Sequence, residues 1–413
     1  MTNDNNIEAI FVSGTWPKSS TGAEIAARSA LHLYADRFQH VHFFGPADEA
    51  FEGGSEWDES QISWVRIPYV RGPLWLRFLK SIFSADPAIT VRFRAASESF
   101  LREITRILAD CEAQGRSVVL IYDDLPASCL VPDVRKAFPG LVQVVRSHNV
   151  LVKGFAGLDQ QGSLLSRMAW RLELAKIRKF EIKVCTGADI FWAISADDDR
   201  DYRELLDIKA DGIVGLSLES EPYATVPPGD ACTVVHVGSA DLRKGRGLRD
   251  FIEHAWPTIR TKVPQARLVL GGRGTENYAD AALGIEGLGF VDSDHDVLQA
   301  GQIFINPQKI GSGIQLKSVV AIFAGKALVS TQMGIEGIPG KDGEHFVVAE
   351  SPEEMAARII ALMEHPEEAQ RIADQARATV AQAFSAEHFK ESTQAELDAV
   401  VRRVQEHTSQ DKG

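Results

Sequence analysis

Cysteine is scarce in this sequence: the four that occur, Cys111, Cys129, Cys185 and Cys232, are scattered without metal-ligand spacing or the pattern of a disulfide framework. Basic residues are also in deficit, with 44 Lys and Arg against 57 Asp and Glu and a formal charge of −13. That balance excludes broad electrostatic capture of nucleic acid and leaves any anionic ligand to local sites. No apolar run approaches the ~20 residues that a bilayer-spanning helix needs, and no apolar leader precedes Ile10. With reduced, scattered thiols, a cytoplasmic protein is expected, with contact at the membrane inner face still open. Two phosphate-binding signatures are missing as well. Leu316 precedes Lys317-Ser318 where a P-loop needs glycine, and Gly271-Gly272-Arg273-Gly274 lacks the spacing of a dinucleotide fingerprint. Neither an internal repeat nor a low-complexity tract occurs.

What is present is alternation of apolar strands and amphipathic helices through 413 residues, more than one hydrophobic core usually serves. The most informative stretch runs from Gln302 to Gly337. Gln302 to Pro307 reads as a buried parallel strand, and Gly311-Ser312-Gly313 as a tight turn. Ser312 is then expected to cap a helix carrying Ile314, Leu316, Val319, Val320 and Phe323, which Gly325 stops. Amides at such a helix start form an anion site to which Lys317 would add a full charge. A second strand, Ala327 to Ser330, delivers Gly334-Ile335-Glu336-Gly337 to the same edge. A glycine turn with no ligand fits this stretch alone equally well.

Earlier in the chain, Glu8 to Ser13 reads as a strand, followed by Gly14 and a loop into a helix from Ala23, with Thr21 as its cap. Further strands are expected at His40–Phe44, Ile62–Arg66, Ser117–Tyr122, Leu141–Arg146 and Asp189–Ser195. Leu141–Arg146 ends on Ser147-His148-Asn149, placing His148 where α/β sites form; a packed, hydrogen-bonded histidine is the alternative. Residues 66–106 run against the acidic average, and Trp75, Leu76, Phe78, Leu79, Ile82 and Phe83 interleave with basic residues there. That stretch suits either a core-facing helix with a solvated basic face or a surface helix meeting anionic lipid or an acceptor carrying phosphate. The run Asp197-Asp198-Asp199 reads as a solvated helix start. A Pro-rich segment from Glu219 to Asp230 is the expected linker, after which strands recur at Thr233–Gly238, Ala266–Leu270 and Ile285–Val291. Pro352 to Phe384 is expected to be helical, with a charged amphipathic tail helix beyond it.

In these stretches the chain resembles retaining glycosyltransferases of the GT-B type, closest to glycosyltransferase family 4. The resemblance is carried, in family order, by Arg146-Ser147-His148-Asn149, Gly238 through Lys244-Gly245, Gly289-Phe290-Val291, Gly311-Ser312-Gly313 with Lys317, and Gly334 to Gly337. It implies an α/β fold of two Rossmann-like doubly wound domains facing a central cleft, with a C-terminal helix returning to the first domain. The expected divisions are residues 1–217 for the acceptor, 218–385 for the nucleotide-sugar donor, and 386–413 for the returning helix. His148 is the implied catalytic residue, placed at the donor sugar. Donor binding falls to Arg243, Lys244, Phe290, Val291, Ser312, Gly313, Ile314, Lys317 and Glu336. Gly14, Thr21 and Gly22 would approach the donor phosphates or the acceptor.

The chemistry such a reaction needs agrees with those residue types. Negative charge develops on the leaving diphosphate, so cations such as Lys244, Arg243 and Lys317 belong there, with the Gly313 and Ile314 amides. No Asp-x-Asp pair stands at an equivalent strand end, so no metal and no cofactor beyond the nucleotide-diphosphate sugar is expected. The expected activity is transfer of a hexose-type sugar, with retention, to a glycan or lipid-linked acceptor. A nucleotide-sugar epimerase and a non-catalytic nucleotide-sugar-binding partner are the rivals. Two departures bear on the last of these. Ser312 and Val320 stand where the family usually carries a pair of Glu residues, and Ser239 where an Arg often follows the first strand.

Overall fold

The computed structural model describes residues 6–18, 21–51, 53, 57–69, 77, 81, 84–160, 163–240 and 245–410. The chain divides into two compact units, residues 1–217 together with 389–413, and residues 218–388. Each is a Rossmann-like α/β unit built on its own parallel sheet.

The first unit carries seven strands: β1 (Ile7–Ser13), β2 (His40–Pro46), β3 (Ile62–Ile67), β4 (Ser117–Asp123), β5 (Val142–Arg146), β6 (Ile190–Ala193) and β7 (Gly212–Ile213). Their order is β3-β2-β1-β4-β5-β6-β7, and every pairing is parallel. The apolar runs demand this burial: β1 is covered along its whole length. Successive side chains point to opposite faces, so Ile10 and Val12 join one core with Leu120 and Tyr122, while Ala9 and Phe11 join another with Val119 and Ile121. The last helix, Gln394–Gln410, adds Leu397, Val400, Val401 and Val404 to that second core. Strand order reverses between β1 and β4, the position at which ligands of such sheets bind beyond the carboxyl ends. Register levels those ends, setting Ser13 beside Asp123 and Asp123 beside Arg146.

The second unit holds β8 (Asp230–Val237), β9 (Arg267–Gly271), β10 (Ile285–Gly287), β11 (Gly301–Asn306), β12 (Ala327–Ser330) and β13 (Val347–Val348) in the order β10-β9-β8-β11-β12-β13. These pairings too are parallel, and the reversal lies between β8 and β11.

Several local expectations need correction. The helix after β11 starts at Leu316, not at the glycine turn, and its cap position is Gln315, with no side-chain cap bond. Gly313 (φ 79°), Ile314 and Gln315 separate the turn from the first residue of the helix. β10 ends at Gly287, leaving Gly289-Phe290-Val291 in a loop. Residues 352–384 form two helices, Pro352–Glu364 and Pro366–Ala383, because Pro366 cannot donate the amide that would continue the first. Asp198 is not solvated: it is fully buried, its amide donates to Ser195 Oγ, and burial pushes its carboxyl up to about 6. Thr21 does cap its helix, Gly22–Arg37, in a reciprocal box with Glu24.

Candidate functional site

In the second unit, the carboxyl edge of the sheet is assembled largely from backbone. Gly238 follows β8, and a Cβ there would stand 3.1 Å from His236 Nε2 and 3.8 Å from Lys317 Cδ. A side chain at Gly238 would therefore crowd the His236 ring and lie in contact with Lys317. The start of the Leu316–Phe323 helix is pinned by a buried polar cluster. Asn306 Nδ2 donates to Ser318 Oγ (2.9 Å) and to Gly334 O (3.1 Å), and Ser318 Oγ donates to Gly334 O (2.6 Å). Strand end, helix start and the Gly334–Gly337 turn are thereby one rigid assembly. Within it, Gln315 N–H donates to Glu336 O (3.3 Å), whereas the Gly313 and Ile314 amides have no backbone acceptor among the described residues. Those two amides, with Lys317, form an arrangement that suits an anion.

His236 explains how a lysine is tolerated beside a buried ring. Its Nδ1–H donates to Ile305 O (2.8 Å), leaving Nε2 a lone pair. Burial, reinforced by the Lys317 charge, pushes the imidazole down to about 3, so the ring is neutral at physiological pH.

In the first unit, the same edge is built from charged side chains. Arg146 and Asp123 are both fully buried. Arg146 Nη1 donates to Asp123 Oδ1 (2.6 Å) and Ala26 O (3.3 Å), its Nε to Val214 O (3.0 Å), and its Nη2 to Gly215 O. His148 Nε2 lies 3.1 Å from Asp123 Oδ1, and its side chain is 10% exposed. Arg146 Nη1 lies 3.3 Å from the same Nε2, so this ring nitrogen faces both a carboxylate that only accepts and a guanidinium that only donates, and the tautomer sets which of the two it bonds. Burial pushes the Asp123 carboxyl up, but the adjacent His148 and Arg146 charges outweigh it and hold it below the ordinary value. The neighbouring Asp124 has φ 111° and ψ 137°, a conformation that costs a non-glycine residue about 1–3 kcal/mol and that clusters at functional sites. Burial pushes its carboxyl up, against the opposing charges of His148 and Arg92.

The loop carrying His148 is held from behind. Glu181 accepts from the amides of Leu151 (2.7 Å) and Val152 (2.8 Å). Tyr202 Oη lies 3.2 Å from Glu181 Oε1, 3.1 Å from Asn149 O and 2.7 Å from Ser147 Oγ. Burial pushes the Glu181 carboxyl up to about 7 in spite of those bonds.

Of the residues singled out in the sequence, the structure brings Gly313, Ile314, Lys317 and Glu336 together around the second unit's edge. Ser312 adjoins them in the turn but does not cap the helix. Phe290 is 67% exposed, with the Arg273 guanidinium 5.8 Å from its ring centre, and Val291 is half-buried beside it. Arg243 and Lys244 lie outside the described residues, as do residues 71–76, 78–80 and 82–83 of the basic, aromatic segment. In the first unit Gly14 is buried against Arg92, whose Nη2 would stand 2.6 Å from an added Cβ, whereas Thr21 and Gly22 are exposed at a helix start. Sequence reasoning assigned no role to Asp123, Arg146, His236 or Asn306. A polar residue closing a buried strand was the available signal for Asp123, Arg146 and Asn306, and one just before the strand end for His236, since a core-facing charge or amide needs a partner.

Comparison with known proteins adds to this geometry. Residues 231–365 match a family described as Glycosyl transferases group 1. A curated relative, described as an uncharacterized 44.6 kDa protein in the cps region of Klebsiella pneumoniae, is 26% identical over 141 residues, which make up 31% of this chain. The match spans about a third of that relative's length (36%). Sucrose-phosphate synthase from Thermosynechococcus elongatus aligns with a TM-score of 0.67 at 15% identity, covering 96% of this chain and 99% of its own. HepE of Anabaena, in complex with UDP and glucose, aligns with a TM-score of 0.62 at 15% identity, covering 95% of this chain and 99% of its own. At that identity the likeness is one of fold, and the fold is GT-B.

Proposed function

We propose that this protein is a glycosyltransferase that moves a hexose-type sugar, with retention and without a metal ion, from a nucleotide-diphosphate sugar to a glycan or lipid-linked acceptor. The observation that carries the reading is the second unit's edge. Lys317 packs against Gly238, and the Gly313 and Ile314 amides just before it lack backbone acceptors among the described residues, all inside the segment that matches Glycosyl transferases group 1. That arrangement suits a diphosphate leaving group, whose charge grows in the transition state. The complexes of HepE with UDP and glucose support a donor of this class.

In this reading the first unit takes the acceptor and His148 is the catalytic residue. Asp123 and Arg146 together hold the ring at Nε2. His148→Ala should then lower turnover more than it lowers donor affinity, because an oriented ring beside the transferred sugar acts mainly in the transition state. Calorimetric titration with UDP and GDP, followed by a sugar-transfer assay with saturating donor, checks both halves. Loss of affinity with unchanged turnover would remove the catalytic role.

A second reading rests on one specific observation. Val320, 8% exposed, stands where relatives usually place a ribose-gripping Glu. A binding partner that holds nucleotide sugar without turning it over would show affinity for UDP or GDP and no donor hydrolysis.

A further inference from the structure

The helix Leu164–Gly187 in the first unit has two unlike faces. Inward it buries Ile177, Phe180 and Val184. Outward it exposes Leu164 (76%), Leu165 (80%), Met168 (60%) and Leu172 (67%). At about 100° per residue these four fall within an arc of roughly 100°, a continuous apolar stripe rather than scattered side chains. Lys179 and Lys183, both exposed, continue that arc toward the helix end. Arg167, Arg171 and Arg178 flank it on one side.

The acids of this helix do not neutralise the outward face. Glu173 and Glu181 are buried and turned inward, Glu173 accepting from Ala88 N–H and Glu181 from Leu151 and Val152. Beyond the helix, Asp159 approaches Arg171 at 3.7 Å while the Arg171 side chain stays 62% exposed. The surface is therefore apolar and cationic in a chain of net charge −13. Two features decide what covers it. An acidic protein is repelled from an anionic surface everywhere except at such a face. A second copy pairing the same face two-fold would set these cations against their own counterparts, which opposes self-association.

We propose that the outward face of the Leu164–Gly187 helix docks on an anionic lipid bilayer, with Leu164, Leu165, Met168 and Leu172 inserted at the headgroup boundary and the flanking arginines and lysines on the phosphates. Lys176 Nζ, on the same helix, donates to Ser81 O. The helix is also coupled to the His148 loop through Glu181 and through the Phe155–Trp170 stack, with ring centres 6.1 Å apart. Docking would thus hold that loop near lipid-borne acceptors, a consequence that rests on the transferase reading while the membrane contact does not.

The test is sedimentation of the full chain with vesicles of phosphatidylcholine alone or mixed with phosphatidylglycerol. Binding is expected only with phosphatidylglycerol and should weaken as salt is raised. The triple variant Leu164→Ser, Leu165→Ser, Met168→Ser and the double variant Arg167→Glu, Arg171→Glu should each lower partitioning by at least about tenfold. Lys341→Glu, in the second unit, should leave it unchanged. Thermal melts report folding, and should the triple variant melt early the charge variant carries the test. UDP titration of the same proteins follows the donor reading separately. Absence of binding, indifference to phosphatidylglycerol, or variants that bind as the parent does would overturn the proposal. So would a concentration-dependent dimer that the triple variant dissolves, since a second copy would then be the occupant.

Discussion

The two units share a sheet plan but build their carboxyl edges from different materials. Among the described residues, the second unit's edge is glycine backbone, a short helix start and Lys317, with the neighbouring His236 held neutral. In the first it is a buried network of full charges, Asp123, Arg146 and His148, beside a strained Asp124. A backbone site makes its groove by omitting side chains, and its parts lie close in sequence. A side-chain site needs partners from distant strands and loops, and it stores desolvation cost that any broken contact exposes.

The sharpest way to break that contrast is Arg146→Leu. It strands the Asp123 carboxylate in a fully buried position, and an uncompensated buried charge costs about 3–5 kcal/mol. Urea unfolding should show that loss while UDP titration of the folded protein is unchanged. A shift below about 1 kcal/mol would show that the network is not a tightly coupled pair.

Opposite responses to pH sharpen the contrast further. Glu181 has a folded value raised from 4.5 to about 7, so its protonated form is favoured in the folded state. Its contribution to stability is complete below 4.5 and is lost as pH rises through about 7, a loss on the order of 3 kcal/mol. His236 has a folded value lowered from 6.5 to about 3, so its contribution is complete above 6.5 and is lost as pH falls toward 3. Denaturant midpoints measured across this range should show the alkaline-side loss vanish in Glu181→Gln and the acid-side loss persist. If Glu181→Gln leaves the alkaline limb intact, the buried carboxyl is not its source.

Smaller effects are expected from the backbone edge. Lys317→Ala removes one charge-assisted bond from the proposed diphosphate site, worth about 1.5–3 kcal/mol, or roughly ten- to a hundredfold in affinity. The backbone amides should retain weak binding, and unchanged affinity for UDP and GDP would remove Lys317 from the site. The smallest effect concerns Val320, which offers the ribose no charged acceptor. UDP and its 2′-deoxy analogue should bind within about tenfold of each other, or ~1.4 kcal/mol. A much stronger ribose preference would point to another residue, with Glu336 the nearest candidate.

The alternating apolar pattern alone determined two parallel α/β sheets, because period and burial are written locally into strands such as Ile7–Ser13 and Gly301–Asn306. The turn at Gly311-Ser312-Gly313 was legible too, since glycine geometry is a property of neighbouring residues. Where the helix after that turn begins was decided by tertiary structure. Ser318 bonds to Asn306 and Gly334, and that cluster fixes the start at Leu316 in place of a Ser312 cap. His148 was visible as a polar residue after a strand, but its orientation was not. That depended on the β4–β5 register that sets Asp123 beside Arg146, and on Arg146 reaching Val214 and Gly215. Such contacts join residues far apart in the chain, and no local propensity encodes them; only the packed sheet brings them within hydrogen-bonding distance.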